Sequence, residues 1–331
     1  MPPATPAPPA TPATPSPRAA RAPSNAPVRL PPSLAFIERD WLSSNHLLAR
    51  GAEGNVLVDS GYCTRRELTL ALVERQLGGE RLDRIINTHT HSDHVGGNAA
   101  LQARYGCRVT IPAGMRDAVR AWDDQRLMYA TLGQACDRFD ASDDYAAGDV
   151  LHFGDLAWQA IGSPGHDMDS LLLYQPEHRI LLSADALWEH GFGIVFPEFF
   201  GLPGFAAQAA TLDCIAALDV AVVIPGHGPM FGDVAAALAR ARERLAYLQA
   251  RPERHAQLGL KVALSFMLLD QQRIGLRNLE TSWGGLSLVQ RINDRYFGKD
   301  IATLTREVLA ALIDARVARI EDGWLVVPVG G

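Results

Sequence analysis

A cluster of metal-binding residue types constrains this chain more than any other feature of its sequence. Three histidines and one aspartate lie in the segment 88–94 (THTHSDH), directly after the predicted strand Arg84–Ile86. A neutral imidazole binds a divalent ion through one ring nitrogen, while a hydrogen bond to the other nitrogen orients the ring. The first two histidines leave the strand two residues apart and can converge on one ion. The aspartate and the third histidine, on the following turn, can face a neighbouring ion.

Three later segments each place a further ligand type at the end of a predicted buried strand. His166 follows the predicted strand 157–161, Asp185 follows an apolar strand at 179–182, and His227 lies between glycines after the apolar run 220–224. Open sheets commonly build their sites at the carboxyl ends of strands. We therefore expect these three side chains to join the first cluster.

The four segments together resemble the metallo-β-lactamase superfamily, whose members carry a His-x-His-x-Asp-His motif followed by His, Asp and His. The resemblance covers residues 33–231 and implies an α/β (α+β) fold, an αββα sandwich with its site at one edge of the two sheets. It assigns His89, His91 and His166 to a first metal, Asp93, His94 and His227 to a second, Asp185 to a bridge between them, and Asp59 to a position that steadies the ligand loop.

The resemblance also implies an activity, that of a dinuclear-metal-dependent hydrolase. Metal-bound hydroxide would attack a thioester or lactone carbonyl, with Asp93 as the catalytic residue that holds the nucleophile. Zinc is the expected metal for so histidine-rich a set, and iron or manganese would accept the same ligands. The glyoxalase II (hydroxyacylglutathione hydrolase) and lactonase branches look most similar. However, the segment 167–170 (DMDS) stands where glyoxalase II has Thr-x-Gly after its third histidine.

A glycine-punctuated aromatic segment follows Asp185 and has two interpretations. Through His190, Phe192 and Phe196 it could line a substrate pocket for an acyl chain, or it could cover the core as a loop. Aromatic loops near clefts do both, so the sequence leaves the choice open.

Composition and periodicity divide the chain into three parts. Residues 1–32, rich in Pro and Ala, are predicted to be a disordered tail. Residues 33–250 form the predicted metallo-β-lactamase domain. Residues 251–331 form a mostly helical, winged-helix-like module, in which a helix at 301–317 precedes a terminal hairpin.

The net charge and the cysteine content limit the binding partners and the cellular location that we expect. The net charge is −6, which argues against nucleic acid and favours a small-molecule substrate. Four cysteines without a framework pattern and no membrane-spanning apolar run indicate a cytoplasmic protein without membrane association. We expect the C-terminal module to mediate protein interaction or dimerisation, in which case the protein would be a homodimer. The alternative is a phosphodiesterase or endoribonuclease of the lactamase-like winged-helix branch.

Overall fold

The computed structural model describes residues 29–328. The predicted disordered tail therefore lies outside the described residues, apart from residues 29–32. The strands are β1 (Leu34–Ile37), β2 (His46–Ala49), β3 (Val56–Val58), β4 (Arg84–Ile86), β5 (Arg108–Pro112), β6 (Asp143–Tyr145), β7 (Val150–Phe153), β8 (Leu156–Gly162), β9 (Leu171–Gln175), β10 (Ile180–Ala184), β11 (Val222–Pro225), β12 (Arg273–Gly275), β13 (Arg319–Glu321) and β14 (Trp324–Val326). The α-helices are α1 (Arg66–Leu77), α2 (Ser92–Val95), α3 (Asn98–Tyr105), α4 (Arg116–Ala121), α5 (Tyr129–Leu132), α6 (Phe196–Phe199), α7 (Gly204–Ala217), α8 (Val234–Ala250), α9 (Pro252–Gln271), α10 (Leu276–Ser282), α11 (Ser287–Tyr296) and α12 (Ile301–Asp314).

Two sheets pack face to face between layers of helices. One sheet has the order β1-β2-β3-β4-β5-β6, and the other has the order β11-β10-β9-β8-β7. A cluster that includes Val58, Trp158 and Ile224 fills the space between them. Helices α1 and α3 cover the outer face of the first sheet, and α7 and α8 cover that of the second. The predicted αββα sandwich is confirmed.

The strands at the centre of each sheet, such as β4 and β10, are apolar on both faces because both faces are covered. In β4, Ile85 packs outward against the helices, whereas Ile86 points into the space between the sheets. Leu181 and Leu182 of β10 divide in the same way. Successive side chains of a strand point to opposite faces, so a strand buried on both sides is a continuous apolar run.

The strand ends bring the ligand segments together at one edge. β10 and β11 run parallel, with Ala184 opposite Pro225, and the Gly226 amide donates to the Ala184 carbonyl at 2.7 Å. Asp185 and the residues after Pro225 therefore leave neighbouring strands side by side. β4 runs parallel to β3 and β5 in the other sheet, and the segment after it leaves at the same edge.

The C-terminal region is helical, as predicted, and carries a small antiparallel sheet of order β12-β14-β13. The predicted terminal hairpin is β13 and β14, whereas β12 was not predicted. A cluster around Trp283, Ile292 and Leu304 forms its core and also takes in Phe196 and Phe199. The predicted domain boundary between residues 250 and 251 stays a prediction. No helix within residues 29–328 is long and apolar enough to cross a membrane.

Candidate metal centre

All seven predicted ligands lie in two adjacent groups at the strand ends. One group is His89, His91 and His166, and the other is Asp93, His94, Asp185 and His227, with ligand atoms in each group within 4.8 Å of one another. The histidines and Asp185 are buried. Their role as ligands stays a prediction that this arrangement supports.

The first group consists of three imidazoles that face one another. His91 Nδ1 lies 2.8 Å from His166 Nε2, and the rings of His89 and His91 are 4.7 Å apart at their centroids. His89 Nε2 is buried and has no hydrogen-bond partner among the described residues. A buried nitrogen left unpaired is costly, and a divalent ion would satisfy it.

The electrostatic environment keeps the first group in the form that binds metals. Burial lowers the pKa of His89 well below its usual range and lowers the pKa values of His91 and His166 to about 4. These imidazoles are therefore neutral at neutral pH, with lone pairs available to a cation.

The second group is built around carboxylates. His227 Nε2 lies 3.2 Å from Asp93 Oδ2, and His94 Nε2 lies 3.4 Å from Asp185 Oδ1. Burial opposes the charge of Asp93, but His94 and His227 outweigh it and lower the pKa of this carboxyl.

Asp185 links the two groups through its two oxygens. Its Oδ1 faces His94, and its Oδ2 lies 3.4 Å from His166 Nε2. This geometry suits the bridging position that the resemblance implies. Gly226 makes room for the bridge, because a Cβ at this residue would lie closer to Asp185 Oδ1 than any real Cβ contact.

Hydrogen bonds behind the imidazoles orient their rings. Asp59 Oδ2 accepts from His94 Nδ1 at 2.8 Å, and the same carboxylate accepts from the Thr88 amide and hydroxyl. His166 Nδ1 donates to the Ile194 carbonyl at 2.6 Å. Both contacts leave Nε2 free to face the centre, as metal-binding histidines require.

The centre opens into a cavity of about 210 Å³ with mostly apolar walls. Phe192 and Phe196 line it, as the pocket interpretation predicts. His190 lies outside it, in the turn that Trp188 and Gly191 close, with 80% of its side chain exposed.

Several cavity residues were not predicted. Trp41 stacks on His227 with ring centroids 4.7 Å apart, and α9 contributes Leu258, Val262 and Phe266 to the wall. The three α9 residues are spaced four apart and share one helical face, a pattern visible in the sequence. That pattern indicates an apolar face without saying what the face covers.

A second cavity of about 350 Å³ adjoins the first group from the other side. His91, His166 and Phe196 line both cavities. Asp167, from the segment that departs from glyoxalase II, lines the second cavity, with its Oδ2 3.6 Å from His91 Nε2. The first group of predicted ligands therefore borders two cavities.

A histidine and aspartate centre at the edge of an αββα sandwich defines a metallo-β-lactamase fold. Residues 39–227 match the family model described as the metallo-beta-lactamase superfamily, and the chain belongs to this superfamily.

Curated relatives with similar sequences include hydroxyacylglutathione hydrolases. One from Rhodopseudomonas palustris (strain ATCC BAA-98 / CGA009) is 36% identical over 118 residues, which cover 36% of this chain and 39% of the relative. One from Bradyrhizobium sp. (strain ORS 278) is 35% identical over 126 residues, which cover 38% of this chain and 42% of the relative. The chain thus spans about two fifths of the length of these relatives.

Solved structures that share the fold include the following two. A metallo-beta-lactamase family protein from Thermus thermophilus has a TM-score of 0.55 at 20% identity, covering 91% of this chain and 100% of that one. The BLEG-1 B3 metallo-beta-lactamase has a TM-score of 0.51 at 20% identity, covering 61% and 95% respectively. At these identities the likeness concerns the fold alone.

Proposed function

We propose that this chain is a metal-dependent hydrolase of thioesters or lactones, in which water attacks the carbonyl carbon and the C–S or C–O bond to the leaving group breaks. The observation that carries the proposal is the position of the two ligand groups at the floor of an apolar cavity. An acyl chain fits such walls, and its carbonyl would then lie against the ligand groups. The name of the curated relatives, hydroxyacylglutathione hydrolase, supports hydrolysis over the stretch that matches.

The metal that these residues would hold supplies Lewis-acid activation of water and of the carbonyl oxygen. Zinc suits the ligand set best, with iron or manganese as alternatives. His89, His91 and His166 would hold one ion, and the second group would hold the other. The imidazoles of the first group are neutral and need little rearrangement to do so. Burial opposes the charge of His94, but Asp59, Asp185 and Asp93 outweigh it and raise the pKa of this ring, so His94 would release a proton when it binds the ion.

Asp93 is the residue that we assign to proton handling. It contacts His227, lines the cavity, and its lowered pKa keeps it ionised at neutral pH. An ionised carboxylate at the cavity floor can orient an attacking water by accepting its hydrogen bond, and can accept its proton. Trp41 and Trp188 flank His227 and shield this corner from bulk solvent.

The apolar cavity favours a carbonyl substrate over a phosphodiester. A polyanionic strand would need several cations along its path, whereas the described lining of this cavity holds one arginine, Arg244, beside the apolar α9 residues Leu258, Val262 and Phe266. Nothing in this site requires glutathione as the leaving group. The test below therefore compares substrates with different leaving groups.

The test is a set of initial rates for protein loaded separately with zinc, manganese or iron. The substrates are lactoylglutathione, acyl-CoA thioesters, homoserine lactones and a short single-stranded RNA, and His89→Ala serves as the blank. Metal-dependent cleavage of thioesters or lactones is expected, with metal content measured by mass spectrometry. Cleavage of RNA alone, or full activity after metal removal, contradicts the proposal.

A further inference from the structure

Arg244 of α8 reaches the cavity above the candidate metal centre from outside the residues 39–227 that match the family. Its Cζ lies 5.3 Å from the centroid of the Phe192 ring. Gly191 has a φ of +135°, and a Cβ there would come within 2.7 Å of Arg244 Nη1. A glycine and an aromatic face thus hold the guanidinium in place.

Arg244 differs from Arg240 and Arg242 on α8 because its guanidinium has neither an acidic partner nor a hydrogen-bond acceptor among the described residues. Burial alone lowers its pKa. By contrast, Arg242 pairs with Asp213 at 2.8 Å, and Arg240 donates to the Glu189 carbonyl at 2.9 and 2.7 Å. A partly desolvated cation without a counter-charge is costly, so such a group is retained where a ligand supplies the charge.

We infer that Arg244 binds a carboxylate at the far end of an apolar acyl chain whose carbonyl lies at the metal centre. The substrate class is an ω-carboxyacyl thioester or a carboxylate-bearing lactone. This inference rests on the proposed function and makes Arg244 a specificity-determining residue.

The chemistry of the cavity favours a carboxylate on the acyl chain over other anions. A single guanidinium matches a planar monoanion through two parallel hydrogen bonds. A phosphate dianion would keep one uncompensated negative charge in a cavity that is also lined by the apolar residues Leu258 and Val262. Glutathione would leave its amide groups unpaired against these walls.

The experiment measures binding by calorimetry to the metal-loaded protein, so it does not depend on turnover. The ligands are monocarboxylic acids and α,ω-dicarboxylic acids of increasing chain length. The metal centre can bind one carboxylate of either kind, and only a dicarboxylate can also reach Arg244. We expect one chain length at which the dicarboxylate binds between about tenfold and a hundredfold more tightly than its monocarboxylate.

Three variants test whether Arg244 causes the preference for the dicarboxylate. Arg244→Met should abolish it by lowering the affinity for the dicarboxylate to that for the monocarboxylate of the same chain length. Arg244→Lys keeps the positive charge but loses the two parallel donors of the guanidinium, so it should keep part of the preference for the dicarboxylate. Arg242→Met, on the same helix but ion-paired outside the cavity, should keep all of it. Thermal unfolding of each variant shows that it is folded.

Two results would overturn the inference. One is equal affinity of wild type for mono- and dicarboxylates at every length, and the other is a preference that survives Arg244→Met. Failure of the proposed function looks different: an Arg244-dependent preference persists, but no thioester or lactone is hydrolysed.

Discussion

His94 donates a hydrogen bond from Nδ1 to the Asp59 carboxylate at 2.8 Å, behind the candidate metal centre. Asp59 also accepts from the Thr88 amide and hydroxyl, so one carboxylate ties the start of the ligand segment to its last histidine. Asp59 adopts a left-handed φ of 56° to reach this position. The contact orients His94 with Nε2 toward Asp185.

Asp59→Asn should therefore weaken metal binding without unfolding the chain. We expect a loss of about 10- to 100-fold in the affinity of the second group, because the amide is a poorer acceptor and no longer supports the basicity of the imidazole. Competition with a chromogenic chelator measures this affinity. Asp143→Asn, which removes a surface carboxylate paired with Arg108, is the control and should change nothing.

Asp93→Asn tests the assignment of proton handling. The amide keeps the shape but cannot accept a proton, so we expect turnover to fall by about a thousandfold or more, within the range of general acid–base effects combined with a lost ligand. Steady-state rates and metal content are measured together. The control is Asp144→Asn, which breaks an ion pair with Arg116. Normal turnover in Asp93→Asn would rule out the assignment.

Gly226→Ala should disturb the centre by steric displacement. The new methyl group would collide with Asp185 Oδ1 and approach the His94 ring. The carboxylate must rotate away, so binding of the second metal ion per chain should be lost first. Gly162→Ala is the matched control, since its Cβ would meet only Ala147, at 3.7 Å. Two bound ions in Gly226→Ala would contradict a bridging role for Asp185.

His255 should make the folded state sensitive to acid. Burial, with a smaller effect of the Arg244 charge, lowers the pKa of His255 to about 4 from a usual value of 6.5. Between these values the unfolded chain binds the proton and the folded chain does not. The free energy of unfolding should therefore decrease by up to about 3 kcal/mol as pH falls from about 6.5 to about 4.

The variant His255→Phe isolates this contribution. Neither ring nitrogen of His255 has a hydrogen-bond partner within residues 29–328, and the ring stacks on Phe199 at 4.3 Å, so an apolar ring gives up no hydrogen bond. Urea unfolding at about pH 7 and about pH 5 should show a smaller pH dependence in the variant than in wild type. His178→Gln, at an exposed histidine, serves as the reference. An equal pH dependence in both would refute the expectation.

Local signals predicted the framework of the sandwich well. β4 was predicted at its observed bounds, and β10 and β11 were predicted within two residues, because an apolar run closed by a ligand or glycine is a local pattern. β2 escaped prediction because its four residues follow the polar segment 43–45 and begin with a buried histidine. Its pairing with β3 depends on contacts across the sheet.

The cavity was harder to predict than the ligands. The predicted ligands can be recognised in the sequence by their residue types and spacing. By contrast, the sequence of Leu258, Val262 and Phe266 is typical of any apolar helical face. Arg244 looks like any charge on a helix rich in arginine. What distinguishes Arg244 is that it has no acidic partner among the described residues, and this becomes visible only in the folded chain.

The stretch that matches the family ends at residue 227, yet α8 and α9, beyond it, shape the space above the ligands. The predicted ligands therefore all lie within the matched stretch, whereas part of the cavity wall, including Leu258, Val262 and Phe266, comes from helices beyond it. Substitutions in these two helices can change what enters while the ligand set stays intact. On the proposed function, libraries that vary the cavity-facing residues of α8 and α9 would alter the choice of substrate and leave the predicted ligands unchanged.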